Sequence, residues 1–366
     1  MSTASRLIGL CERRLGRREA LSRIALTIAG GSLSGAAVGN SDALAALYPA
    51  ARAEGQLVLY GGGPAANYEP LAREFERQYP GIAVTIRGGF SNVLNQQIES
   101  QLSAGRLAVD LAIFQTVQDF IGWKRRGLLA AWQPAGIEAV HPVFRDVDGA
   151  WLALYASTLS YAYNTRLVAP ADIPRSSLDF LHPRFRGQVI AAYPQDDDAT
   201  LYLFETLVAR HGWVWMERFM QNEPVFVQGH LGVARAIAAG TSLVTFDATV
   251  STVGSLKAAG QPIDFAFPVD EPMPVFTVSA GIFRDAPHPA AARLYLSWLL
   301  QPAQQARSPL FSTRNDVPSP AGLAPLLSYR IANDYVGFVS DEVRLRELRA
   351  RYERLIGPVR NAGGVR

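Results

Sequence analysis

The stretch QLVLYGGGPAANYEPLAREFERQYPGIAV, residues 56–84, places a strand, a run of glycines, a helix and a second strand in immediate succession. Residues 57–60 are apolar and β-prone, Gly61, Gly62 and Gly63 form a loop, and 68–79 repeats with helical spacing. A strand over 82–86 closes the unit. A βαβ unit of this kind implies an α/β protein with a parallel sheet covered by helices. Ligands of such sheets collect beyond the carboxyl ends of the strands, where 61–67 falls. Gly62 and Gly63, through their backbone amides, and Asn67 are therefore the first candidate ligand-binding residues.

The glycine run has two rival readings. Gly61-Gly62-Gly63-Pro64-Ala65-Ala66 matches G-x-G-x-x-A, so an exported oxidoreductase using NADP must be weighed. A dinucleotide site starts its helix inside the glycines, which puts Pro70 in the second or third turn. Proline there costs about 3 kcal/mol. A helix starting near Tyr68 instead holds Pro70 in the tolerated first turn. The second strand ends in Arg87-Gly88-Gly89, without an acid for the ribose. Glycines that serve only to turn the chain are the other alternative.

The alternation continues. Ser91 is placed to cap a helix over 92–104, in which Leu94, Ile98 and Leu102 share a face. A strand over 109–114 leads into Gln115-Thr116 and a short helix. Asp148-Gly149 signals a hairpin, after which 151–164 reads as strand and the βα order breaks. A second α/β set follows, with strands over 188–193, 242–246 and 263–267 and helices over 200–211 and 248–259. A strand over 275–283 and a helix over 288–301 come next. The tail over 341–355 is an amphipathic helix, with Leu345, Leu348, Tyr352 and Leu355 in line.

At 366 residues the chain is long enough for two domains. Its net charge of +3 lies entirely in the first 45 residues, where six arginines face Glu12, Glu19 and Asp42. The remainder is formally neutral, which argues against a phosphate-tracking surface and a nucleic-acid partner. The same 45 residues read as an export signal. A basic region runs to Arg23, a Gly/Ala/Ser-rich apolar run covers 24–38, and Ala43-Leu44-Ala45 offers a small-x-small cleavage site. Arg17 and Arg18, in GRREAL, resemble the twin-arginine motif, with a general secretory signal as the alternative. Cleavage near Ala45 is expected to deliver a periplasmic protein. The single cysteine, Cys11, lies inside the signal, so no disulfide or thiolate site is expected beyond it.

Four patterns spread over most of 50–320 carry a resemblance. They are Ala53-Glu54-Gly55 before LVLY with the helix that follows, then Tyr163-Asn164-Thr165-Arg166-Leu167, then Pro183-Arg184-Phe185-Arg186-Gly187-Gln188 before a strand. The last is APHPAAARLYLSWLLQPAQQA with Thr313-Arg314-Asn315-Asp316-Val317. In order and spacing the chain resembles the extracellular solute-binding proteins of ABC importers, of the type 2 periplasmic fold, nearest the branch that includes ferric-iron binders. The resemblance implies two α/β lobes joined by two crossing strands, near 155–158 and 275–279. Lobe one would comprise 46–155 with 277–330, lobe two 156–276, and 331–366 a helical tail on lobe one. It also implies a monomer that closes on a small polar solute by hinge motion. That protein hands the solute to an inner-membrane permease and its ATPase, with no cofactor and no catalytic residue.

Both lips of the expected cleft carry further candidates. Ser91, Asn92 and Gln115 end strands of lobe one. Tyr155 and Ser157 lie at the hinge. In lobe two, Asp196, Asp197 and Asp198 precede a helix, where one acid suffices for a cap and the others are free to meet a cation, amine or hydroxyl. Asp247 and Thr249 occupy the equivalent point after the next strand. Ferric-binding relatives place adjacent tyrosines in that region, whereas TFDATVSTVGSL has none, which weighs against ferric iron. Arg314 resembles a late arginine of the family and is a donor for a carboxylate or phosphate.

Overall fold

The structure is a computed structural model that describes residues 31–320, 322–332 and 334–360, with side-chain environments from residue 41 onward. In chain order the helices are α1 (Gly31–Glu54), α2 (Glu69–Gln78), α3 (Ser91–Ser103), α4 (Val117–Arg125), α5 (Asp198–His211), α6 (Trp213–Gln221), α7 (His230–Ala239), α8 (Val250–Ala258), α9 (Pro289–Leu299), α10 (Pro302–Gln305), α11 (Tyr335–Val339) and α12 (Glu342–Ile356). The strands are β1 (Gln56–Gly62), β2 (Ala83–Gly89), β3 (Leu111–Phe114), β4 (Leu152–Asn164), β5 (Ile190–Ala192), β6 (Val225–Val227), β7 (Val244–Thr249), β8 (Ile263–Ala266), β9 (Met273–Ile282), β10 (Phe311–Ser312) and β11 (Ile331–Ala332).

The opening βαβ unit forms as its pattern dictates. β1 and β2 run parallel from Gln56↔Ala83 to Gly62↔Gly89. Leu57 and Leu59 of β1 are fully buried beneath Ala72 and Phe75 of α2 and the aromatic face of α9. Phe75 sits edge-on to Tyr295 and Trp298, with centroids 4.9 and 5.4 Å away. Such pairs add about 0.5–1.5 kcal/mol each beyond the area they bury. α2 begins at Glu69, so Pro70 lies in its first turn, where no intrahelical N–H is missed.

The sheet order β10-β4-β9-β3-β1-β2 places two long strands side by side. The first half of β4 pairs antiparallel with β9, Tyr155 opposite Val278 and Thr158 opposite Val275. Its second half pairs with β7 and β8. The far half of β9 turns to β3. One continuous strand therefore belongs to two packed bodies, and the two stretches expected to cross are each other's partners. Two separate cores flank them. One gathers on β1, β3 and α9, and the other on β7, α5 and α6, where Phe204, Trp215, Phe219 and Phe246 interlock.

The tail packs differently from the expectation, which put it on lobe one. Tyr352 of α12 is fully buried against Phe204 and Trp213, and its hydroxyl donates to Glu205 at 3.0 Å. Arg349 pairs with Asp198 at the start of α5, and Tyr202 donates to Asp334 just before α11. The reason is shape and chemistry. The Leu345/Leu348/Tyr352 stripe fits the aromatic cluster of α5 and α6, and the acids of α5 face its arginines. α11 also touches α4, so the tail meets helices on both sides of the crossing strands. Tyr352→Ala should remove about 3 kcal/mol of stability, read as a lower midpoint in urea unfolding.

At the other end, α1 runs unbroken through Ala43 and Ala45. Leu44 and Ala51 enter the first core, and Glu54 caps α9 by accepting from the N–H groups of Ala290 and Ala291 at 3.0 and 2.8 Å. Pro49 lies inside this helix and has no N–H to donate to the carbonyl of Ala45. Arg17 and Arg18 lie outside the described residues.

Candidate functional site

β1 delivers Gly62 to the carboxyl edge of the sheet, and β3 delivers Gln115 beside it. The absence of a side chain at Gly62 is what lets them converge. A Cβ there would stand 2.3 Å from Gln115 Oε1 and 2.6 Å from Ser91 Oγ. Ser91 was expected as a helix cap, but it is the first residue of α3 behind an extended Phe90. Its hydroxyl donates instead to Gln115 Oε1 at 3.2 Å. Gly63 has φ 99, a backbone glycine adopts freely, and its N–H donates to the carbonyl of Gly89 at 2.7 Å. Asn92, exposed, accepts from the next residue's N–H.

Gly62 and Gln115, but not Gly63, Ser91 or Asn92, border a cavity of ≈ 550 Å³ at the hinge, between the strand ends, α2, α9 and the segment after α10. Gly62, Asn67, Gln115 and Tyr155 of the expected set line it. So do three residues that the sequence did not single out, Tyr68, Tyr295 and Arg307. Tyr68 donates to the carbonyl of Gly62 at 2.8 Å and so fixes the rim. Among the described residues the phenols of Tyr155 and Tyr295 have no hydrogen-bond partner, although Tyr295 is only 1% exposed. Burial pushes the Tyr155 phenol up to about 12, against the pull of Arg307. Burial also raises Tyr295, helped by Tyr155 and Tyr68. All three are neutral hydrogen-bonding groups near pH 7.

The lobe-two candidates divide. Asp197 caps α5, accepting from the N–H groups of Ala199 and Thr200 at 2.9 Å each. Asp198 is held by Arg349, and only Asp196 stands exposed, accepting from Gln228 at 2.9 Å. Thr249 caps α8 and shares a 2.6 Å hydrogen bond with Thr252.

Three expectations need correction. Asp247 is fully buried, and its carboxylate accepts from Ala192 N–H at 2.8 Å, from Thr200 at 3.1 Å and from His230 at 3.0 Å. With its lone pairs so engaged it binds the protein and not a solute. Arg314 is 5% exposed. It donates to both oxygens of Asp316 at 2.8 and 2.6 Å and to the carbonyls of Gly136 and Leu300 at 2.9 and 3.1 Å. Ser157 is buried inside the β4–β9 ladder with its hydroxyl unpartnered, facing no lip of the cavity.

Two hydroxyl–imidazole–carboxylate groupings invite a catalytic reading, Thr200–His230–Asp247 and Ser177–His211–Glu271. In each, hydroxyl and carboxylate contact the same ring nitrogen, Nε2, and the hydroxyl residue is fully buried. A triad needs opposite ring nitrogens and an accessible nucleophile, so neither has that geometry.

Two α/β bodies sharing a pair of crossing strands, with a cavity at the carboxyl ends of the strands, define a type 2 periplasmic binding fold. The chain belongs to the bacterial extracellular solute-binding protein family, whose pattern matches residues 61–306. It is similar to the Fe(3+)-binding periplasmic protein of Serratia marcescens, at 24% identity over 196 residues. That match takes in 52% of this chain and spans little more than half of the relative, 56%. Among solved structures it resembles iron-bound HitA from Pseudomonas aeruginosa, with a TM-score of 0.68 and 20% identity over 81% of this chain and 99% of that one. It also resembles AfuA from Actinobacillus pleuropneumoniae with fructose 6-phosphate bound, with a TM-score of 0.63 and 19% identity over 82% and 98%.

Proposed function

We propose that this protein is the substrate-binding component of an ABC importer. It is exported to the periplasm, captures a small solute at the hinge cavity as a monomer, passes it to a membrane permease and its ATPase, and performs no chemistry. The observation that carries this reading is the convergence of Gly62, Gln115 and Tyr155 on one cavity beside the paired crossing strands. Closure of two bodies about such strands is the expected working motion. Small-angle scattering with and without bound solute tests it, and a smaller radius of gyration in the bound state is the expected result. The NADP reading loses support from Pro70, which sits in the first turn of a helix that starts six residues beyond Gly63.

Iron is the second reading, favoured by what the ferric-binding relatives are named for. Iron bound through phenolates produces a visible charge-transfer band. The stretch from Thr245 to Leu256 holds no tyrosine to supply a phenolate, and Asp247 is fully buried and bonded within the protein. Ferric citrate is therefore expected to leave the protein colourless; a red protein would restore the iron reading.

The export route has its own test. Replacing Arg17 and Arg18 together by lysine should leave the chain unprocessed in the cytoplasm, as followed by immunoblot of cell fractions. Undiminished periplasmic protein would assign the general secretory route instead.

A further inference from the structure

The hinge cavity restricts the chemistry of its solute, an inference that rests on the solute-binding reading above. No aspartate or glutamate lines the cavity. The nearby Glu74 lies outside the lining and is bonded to Arg307 and Gln304. The cavity thus offers no full negative charge to a polyamine or a bare metal cation. Hydroxyl-rich sugars need many acceptors, and Gln115 Oε1, one of the amide oxygens present, already accepts from Ser91.

Donors, in contrast, are plentiful. Tyr155 and Tyr295 hold phenols with no partner among the described residues, and Asn67 adds a side-chain amide. Arg307 gives only one of its nitrogens to Glu74 and Gln304. The Tyr295 phenol opens onto the cavity although the residue is only 1% exposed, and a bound acceptor would give it a partner. Apart from Gln304 and Ser308 the remaining wall is largely apolar, with Leu71, Ile113, Leu154, Val278 and Leu299. Donors around one cation, facing an apolar wall, suit an anion attached to a hydrocarbon body.

We propose that the solute is a small organic monocarboxylate with an apolar body. Its carboxylate meets Arg307 and the phenols of Tyr155 and Tyr295, and its body rests on Leu71, Ile113, Val278 and Leu299. A polyamine would find no counter-charge, and a sugar phosphate would bring a dianion to a single guanidinium that Glu74 already shares.

Calorimetric titration of the mature chain with phenylacetate and 3-methylbutanoate tests this, with spermidine, fructose 6-phosphate, ferric citrate and NADP as comparators. At least one of the two monocarboxylates should bind. Arg307→Met should weaken it about tenfold or more, and the near-isosteric Tyr155→Phe several-fold, with unfolding midpoints unchanged in both. Silence from both monocarboxylates overturns the proposal, as does binding that neither variant weakens. If spermidine, fructose 6-phosphate or ferric citrate binds while the monocarboxylates are silent, the ligand class fails and the solute-binding reading stands. If NADP alone binds, both fail.

Discussion

His230→Leu should destabilise the folded protein by about 3–5 kcal/mol, the cost of stranding a buried carboxylate by removing its partner. Asp247 has no exposed surface and His230 Nε2 lies 3.0 Å from it. Asp197 approaches the other ring nitrogen, Nδ1, at 3.6 Å. Burial alone would push the imidazole down. The charge of Asp247, its hydrogen bond and the charge of Asp197 outweigh that and raise it to about 9. The sign of the pH dependence follows. The folded value lies above the unfolded value of about 6.5, so the stabilisation is complete below pH about 6.5 and is lost as pH rises through about 9. Over that window it amounts to roughly 3 kcal/mol. Urea unfolding at pH 6 and pH 9.5 measures it. The native protein should lose stability across the window, and the leucine variant should lose much less. Equal losses in both would show that another group carries the dependence.

Arg314→Met is expected to be nearly as damaging, at about 3–5 kcal/mol, without weakening solute binding. The guanidinium joins Asp316 to the buried carbonyls of Gly136 and Leu300, and each carbonyl left unsatisfied costs about 1–3 kcal/mol. The fork geometry matters, because Nε and Nη2 engage both oxygens of Asp316 while Nη1 reaches the two carbonyls. Lysine has one nitrogen for all these sites, so Arg314→Lys should recover little. Thermal unfolding and phenylacetate affinity measured on the same samples separate the roles. A lowered midpoint with unchanged affinity supports a structural arginine, and the reverse would return Arg314 to the binding site.

Local pattern and chain order made the architecture readable. The βαβ unit and the position of Pro70 need only periodicity, turn chemistry and proline geometry, all carried by neighbouring residues, whereas the two crossing stretches follow from the family resemblance. Four of the candidates share one cavity because strand ends project their next residues to one edge of the sheet. Gly62, Asn67, Gln115 and Tyr155 meet there. What escaped was long-range. Tyr295 lies in an apolar helix whose spacing marks it as core, and only packing turns its phenol toward the cavity. Arg307 reads as one more surface arginine. His230, beside Gly229, looks like a turn residue, yet folding brings it onto Asp247. An acid after a strand looks the same in sequence whether it points to the cleft or, as Asp247 does, into the core. The tail went to the wrong partner because an amphipathic stripe states that a face is buried, not against what.

On the proposed reading a solute, and not a nucleotide, is held at the hinge cavity. Thermal-shift screening of the mature chain and of Gly62→Val against a metabolite set rich in organic acids, with NADP and ferric citrate included, tests it most directly. A valine at Gly62 projects into the space of Gln115 and Ser91 at the cavity edge. The prediction is that at least one organic acid raises the midpoint of the native protein and fails to raise that of the variant, measured against the variant's own baseline. A shift by NADP alone, or equal shifts by the same acid in both proteins, would contradict it.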